Sequence, residues 1–69
     1  MTQKERILQY IEDFGSITQI EALKYLGVMR LASRICDLRK DGIDIISEDV
    51  VGTNRYGEKV RYARYKVRK

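Results

Sequence analysis

The chain has 69 residues, 43% hydrophobic and 35% charged with no proline, a balance that fits one folded unit and excludes a low-complexity or linker-dominated segment. A lone cysteine, Cys36, excludes an internal disulfide, and with no histidine the chain offers no zinc-ligand pattern and no imidazole for acid–base work. The net charge of +4 is uneven: residues 1–49 carry seven Lys/Arg and nine Asp/Glu, whereas residues 50–69 carry seven Lys/Arg and one Glu, so the C-terminal segment attracts polyanions.

In chain order, Ile7, Leu8, Ile11 and Phe14 form one stripe and predict an amphipathic first helix. Thr2 and Glu5 are spaced to cap its start, and Gly15 is placed to end it. Ile17, between two hydroxyl residues, predicts a minimal strand. Thr18 and Glu21 form a second capping box, opening a short helix in which Ala22, Leu23 and Leu26 share a side and which Gly27 stops. A third helix follows at once, so the two meet at a corner. No capping residue precedes Met29; Arg39 and Lys40 suit the last turn before Gly42. From Ile43 the period falls to two, and two Ile/Val/Tyr-rich runs flank GTNRYGE, which predicts a hairpin with an extended, partly flexible tip. Ile43, Ile45 and Val51 are expected to meet Ala63, Tyr65 and Val67 on its inner face, with a bulge near Val60 to Tyr62 where the alternation slips.

Successive residues of a helix are set about 100° apart. With Val28 as origin, Leu31, Ala32, Ile35 and Leu38 of the third helix gather on an inner side, and Cys36 falls at the rim of the buried sector as a small apolar filler. Arg30, Ser33 and Asp37 face outward, with Met29, Arg34, Lys40 and Asp41 beside them. Arg39 lies toward the core edge, its stem packing and its head seeking a partner.

The pattern carried by Ala22, Leu23, Leu26, Gly27, Ala32, Ile35, Leu38, Arg39 and Gly42, over nearly the whole chain, resembles the winged helix-turn-helix family, and more narrowly its small phage and mobile-element members. The resemblance implies an α+β fold: three helices, a short first strand, and a C-terminal two-stranded hairpin, the wing, all in one domain over residues 1–69. It also implies double-stranded DNA as partner. In that setting Met29, Arg30, Ser33 and Arg34, on the N-terminal half of the third helix, are the candidates for contact in the major groove, and arginine suits guanine O6 and N7 or a phosphate. Thr18, Gln19 and Lys24 are candidates at the DNA backbone, although capping accounts for Thr18 equally well. Asn54, Arg55, Lys59 and Arg61 are the wing candidates, and Arg64, Lys66, Arg68 and Lys69 extend the charge.

Each candidate has a plainer account. Arg34 and Asp37 are three apart and suit an ion pair on a solvated face. Tyr56, Tyr62 and Tyr65 would suit stacking on single-stranded nucleic acid, but tyrosine in a strand is more often a half-buried pair, and Tyr65 is expected inside. The principal rival function is a winged helix that docks an acidic protein through the third helix or the wing; a third reading takes the basic segment to an anionic membrane surface, without an amphipathic helix to help it. No glycine-rich phosphate loop or activated nucleophile stands out, so no enzyme, cofactor, metal or small-molecule substrate is expected. No apolar run approaches the about 18 residues of a membrane helix, and no signal-length stretch follows the polar opening, which predicts a cytoplasmic location. The implied role is a phage-type transcriptional regulator or an accessory protein of replication or recombination. Contact area on so small a domain is limited, so a homodimer or a partner protein is expected to extend it.

Overall fold

The computed structural model describes residues 2–68; Met1 and Lys69, the latter counted with the basic C-terminal segment, lie outside the described residues. The elements are α1 (Gln3–Phe14), β1 (Ile17–Thr18), α2 (Gln19–Glu21) running directly into a π-helical turn (Ala22–Leu26), α3 (Leu31–Lys40), β2 (Ile45–Thr53) and β3 (Lys59–Val67). Both expected capping boxes are present. The Thr2 hydroxyl accepts from the Glu5 amide at 3.2 Å, and the Thr18 hydroxyl accepts from the Glu21 amide at 3.3 Å while Glu21 accepts from the Thr18 amide at 3.0 Å. Gly15 and Gly27, at φ +89° and +70°, end the first two helices in the left-handed region that favours glycine.

The strands form one antiparallel sheet in the order β1-β3-β2. Ile17 of β1 pairs with Tyr65, and the β2–β3 ladder runs unbroken from Ile45 opposite Val67 to Thr53 opposite Lys59. Ile7 and Ile11 of α1, Ile17 of β1, Ala22, Val28, the α3 stripe of Leu31, Ile35 and Leu38, and Ile45 make up the buried core. Ile43, Tyr65 and Val67 pack against its edge. The core therefore sits between the helices and the proximal part of the sheet, and the distal hairpin projects beyond it, giving extents of 38 × 23 × 21 Å.

Three ties outside the core hold the elements together. Lys4 reaches from α1 to Asp41 beyond α3 at 2.7 Å, and that carboxylate raises the Lys4 pKa. Tyr10 donates to Glu21 at 2.9 Å; burial, then this hydrogen bond, push its hydroxyl up to about 12, so it stays protonated. Arg39, as expected from its place at the core edge, donates through Nε to the Ile45 carbonyl at 3.0 Å.

Several expectations need correction. Phe14 is 70% exposed: it is the last residue of α1, and its ring lies tilted against Tyr10 at 4.6 Å instead of turning under the helix. Leu23 also points outward: the π-helical turn holds an extra residue and rotates it away from Ala22. Val51 faces Arg61 beyond the reach of the helices and is exposed, and the ladder carries no bulge near Val60 to Tyr62. α3 begins at Leu31, so Val28, though buried, belongs to the turn. The inner stripe of α3 is Leu31, Ile35 and Leu38 alone, and Ala32 and Cys36 lie outside it, exposed.

Leu31 is fully buried at the junction of α3 with the first strand and helices. Leu31→Ala is expected to cost about 2–5 kcal/mol of unfolding free energy, read from the urea midpoint at unchanged m-value.

Candidate nucleic-acid interface

The segment between helix 2 and α3 is organised by one side chain. Gln19, at the start of α2, donates through Nε2 to the Val28 carbonyl at 2.9 Å and accepts through Oε1 from the Leu31 amide at 2.8 Å. The first residue of α3 thus receives its cap from twelve residues upstream, which explains why no Ser, Thr, Asp or Asn is needed at Arg30, whose side chain makes no capping bond. The same contact leaves Met29 and Arg30 in the turn with both side chains exposed; Met29 is 79% accessible.

On α3 itself Ser33 is exposed and Arg34 half-buried, with Arg34 Nη2 3.5 Å from Asp37 Oδ2. Ala32 and Cys36 join Ser33 on the outer surface, so three small side chains occupy its centre with the arginines at the N-terminal end. The sequence reading placed Ala32 inside because it is apolar, and that drew the inferred inner direction toward Ala32 and Cys36; the missing local cap before Met29 was the signal that α3 starts later.

The cations of the hairpin divide into two groups. Lys66 Nζ lies 2.6 Å from Glu48 Oε1, Arg64 lies 3.8 Å from the other oxygen of Glu48, and Arg68 pairs with Asp44 at 3.4 Å. Among the described residues, Arg55, Lys59 and Arg61 form no ion pair. Alternation along β3 puts Lys59 and Arg61 on the face of Tyr65 and Val67, toward which the helices pack, whereas Arg64 and Lys66 lie on the opposite face with Glu48. The unneutralised charge of the described hairpin is therefore distal.

The tip is a turn closed by hydrogen bonds. Asn54 Oδ1 accepts from the Tyr56 and Glu58 amides at 2.9 and 3.0 Å, its Nδ2 donates to Glu58 Oε1 at 3.3 Å, and the Gly57 amide donates to the Asn54 carbonyl at 3.1 Å. Asn54 thus shapes the tip, and Arg55 and Tyr56 are what it presents; Tyr56 is 83% exposed.

Of the residues singled out in the sequence, Met29, Arg30, Ser33 and Arg34 lie together around the N-terminal half of α3, and Arg55, Lys59 and Arg61 lie together on the distal hairpin. Thr18 and Gln19 hold the helices through the bonds described above, and Lys24 stands away from α3 with its ammonium 5.5 Å from the centre of the Tyr25 ring.

An apolar three-helix core, a tight corner before α3 and a projecting antiparallel hairpin define a winged helix-turn-helix, the α+β class expected from the sequence. The chain belongs to the winged helix-turn-helix domain family, whose model matches residues 2–69. That family is typically a non-enzymatic, DNA-binding fold. No curated protein and no solved structure matches the chain. Among the described residues, no helix is long and apolar enough to cross a membrane.

Two predictions follow from this geometry. Gln19→Ala strands the Leu31 amide and the Val28 carbonyl and is expected to lower stability by about 1–3 kcal/mol, whereas Gln19→Glu, which keeps the acceptor and loses the donor, is expected to fall between; urea denaturation ranks the three. The Lys66 contact holds the Glu48 carboxyl below its ordinary value of 4.5, outweighing the opposing effect of burial. Its stabilisation is present above that pH and is lost as pH falls through the lower folded-state value. Glu48→Gln is expected to lower the urea midpoint at neutral pH and to flatten its decline in acid.

Proposed function

We propose that residues 1–69 act as one domain that binds double-stranded DNA with α3 in the major groove and the hairpin as a basic wing on the flanking backbone or minor groove. The observation that carries this reading is the distribution of unpaired cations. Arg30 at the entrance to α3 and Arg55, Lys59 and Arg61 on the distal hairpin have no carboxylate partner among the described residues, while the proximal cations of β3 are neutralised within the sheet.

In this mode Arg30 offers a planar fork to guanine O6 and N7, and Ser33 donates or accepts at a base edge. Ala32 and Cys36 keep the middle of the helix low so that it can enter the groove, and the Ala32 methyl suits a thymine methyl. Met29 adds an apolar contact, and Arg34, oriented by Asp37, reaches a phosphate. Gln19 supports the reading by fixing where α3 starts and Thr18 by capping α2, Lys24 is left as a peripheral backbone contact, and Asn54 acts through the turn that displays Arg55. Arg55, Lys59 and Arg61 supply contacts that do not depend on sequence.

A cytoplasmic phage-type transcriptional regulator, or an accessory protein of replication or recombination, is the biological role that fits such a domain. Its contact area favours a homodimer or a partner protein on the DNA.

Titration of labelled duplex at several salt concentrations tests the reading. Arg30→Ala is expected to cost about 1–3 kcal/mol and to relax sequence preference, whereas Arg55→Ala and Lys59→Ala are expected to weaken all duplexes alike, each lowering the salt slope by about one. Undetectable affinity at low salt overturns DNA binding in favour of docking to an acidic protein, and identical behaviour of all three variants overturns the division between helix and wing.

A further inference from the structure

Away from α3 and the wing, one lateral face of α1 is only partly covered, by Glu21, Tyr25 and Leu26 along one edge. Arg6, Tyr10 and Asp13 fall on it at helical spacing, beside Gln9, Phe14 and Leu26, and together they line a shallow groove. Its centre is aromatic: Tyr10 lies 4.6 Å from Phe14 and 6.1 Å from Tyr25, and Phe14 and Tyr25 remain 70% and 60% exposed. Large exposed aromatic side chains grouped in this way are the usual material of an interface.

The charges on this face identify what covers it. Arg6 is exposed and makes no ion pair among the described residues; Asp13 is exposed, and only its Oδ1 is engaged, by Gln9 at 2.9 Å. A positive end and a negative end thus stand one helical turn to either side of Tyr10. A half-turn rotation about an axis through Tyr10 lays the positive end of one copy on the negative end of the other, twice over, and brings the two helix dipoles antiparallel. A partner of one charge sign would meet a like charge at one end.

We propose that this face of α1 joins two copies of the chain in an antiparallel, two-fold dimer, with Arg6 of each copy against Asp13 of the other and the aromatic groups of Phe14 and Tyr25 between them. The arrangement leaves the interface that reads DNA free. Gln3, at the N-terminal end of α1, shares a depression with Met29, Arg30 and Arg34, and antiparallel pairing carries the two copies of that depression to opposite ends of the joined helices. The dimer extends the DNA-binding reading but does not need it to be observed.

Sedimentation equilibrium of the full chain without DNA, from micromolar to millimolar concentration, tests it. The unmodified chain is expected to move from monomer to dimer mass over this range. Arg6→Asp and Asp13→Arg, each placing like charges across the axis, are expected to weaken association at least about tenfold. The double exchange restores it, and Phe14→Ser abolishes it; both charge positions are exposed, and thermal melts monitor the fold. A chain that stays monomeric throughout overturns the proposal, as does dimerisation that the single charge reversals leave unchanged or the double exchange fails to restore. Because no duplex is present, failure to associate is distinguished from failure to bind DNA.

Discussion

The amide of Gln19 is the constraint on which the functional surface depends. Its two polar atoms bind a carbonyl of the turn and the first amide of α3, so the corner between the helices is held by hydrogen bonds across twelve residues and not by a cap local to α3. Two consequences follow. Leu31 is seated with no exposure as the first residue of the helix, and everything before it is displaced into the turn, which brings Met29 and Arg30 to the surface at the point where the helix dipole is positive. The polar atoms of Gln19 are thus spent inside the chain, setting the position of Met29 and Arg30 from behind.

What the sequence made legible was local. Thr2 with Glu5 and Thr18 with Glu21 are three residues apart, and each box forms as read. The change of period at Ile43 marks the hairpin, and the inner stripe of α3 lies within the helix that displays it. The misread residues depend on distant or cumulative geometry. Ala32 was counted with the inner stripe because it is apolar, which swung the inferred inner direction toward it and put Cys36 at the rim, whereas both are exposed. Leu23 was lost to a turn one residue wider than an α-helix, for which its sequence carries no mark. Asn54 was legible as a turn residue, but that its side chain accepts from the Tyr56 and Glu58 amides was not, because those amides come together only once the tip has closed.

Charge shows the same limit from another side. Counted along the chain, residues 50–69 hold a concentrated positive field. Pairing β2 with β3 brings Glu48 against Arg64 and Lys66, and Arg68 meets Asp44, so carboxylates from the acidic part of the chain neutralise the proximal cations of the basic part. Among the described residues of this segment, the cations left without a carboxylate partner are Arg55, Lys59 and Arg61, on the portion of the hairpin farthest from the core. Exposed pairs of this type stabilise little, yet they decide where an anion finds uncompensated charge.

A tip closed by hydrogen bonds changes what such a field can do. A flexible basic loop that follows a phosphate strand loses conformational freedom on contact, and that entropy opposes binding. Here Asn54 and Gly57 have already closed the turn, so the loss belongs to folding and Arg55 is held at a set position relative to the sheet. In the proposed mode the penalty for this order is intolerance: α3 and the wing belong to one body, and the hairpin ladder, at about 3.3 Å per residue, sets the distance between them. A duplex whose groove does not match that distance must deform or forgo one of the two contacts. Selectivity can therefore arise partly from DNA shape, at base pairs the protein never touches.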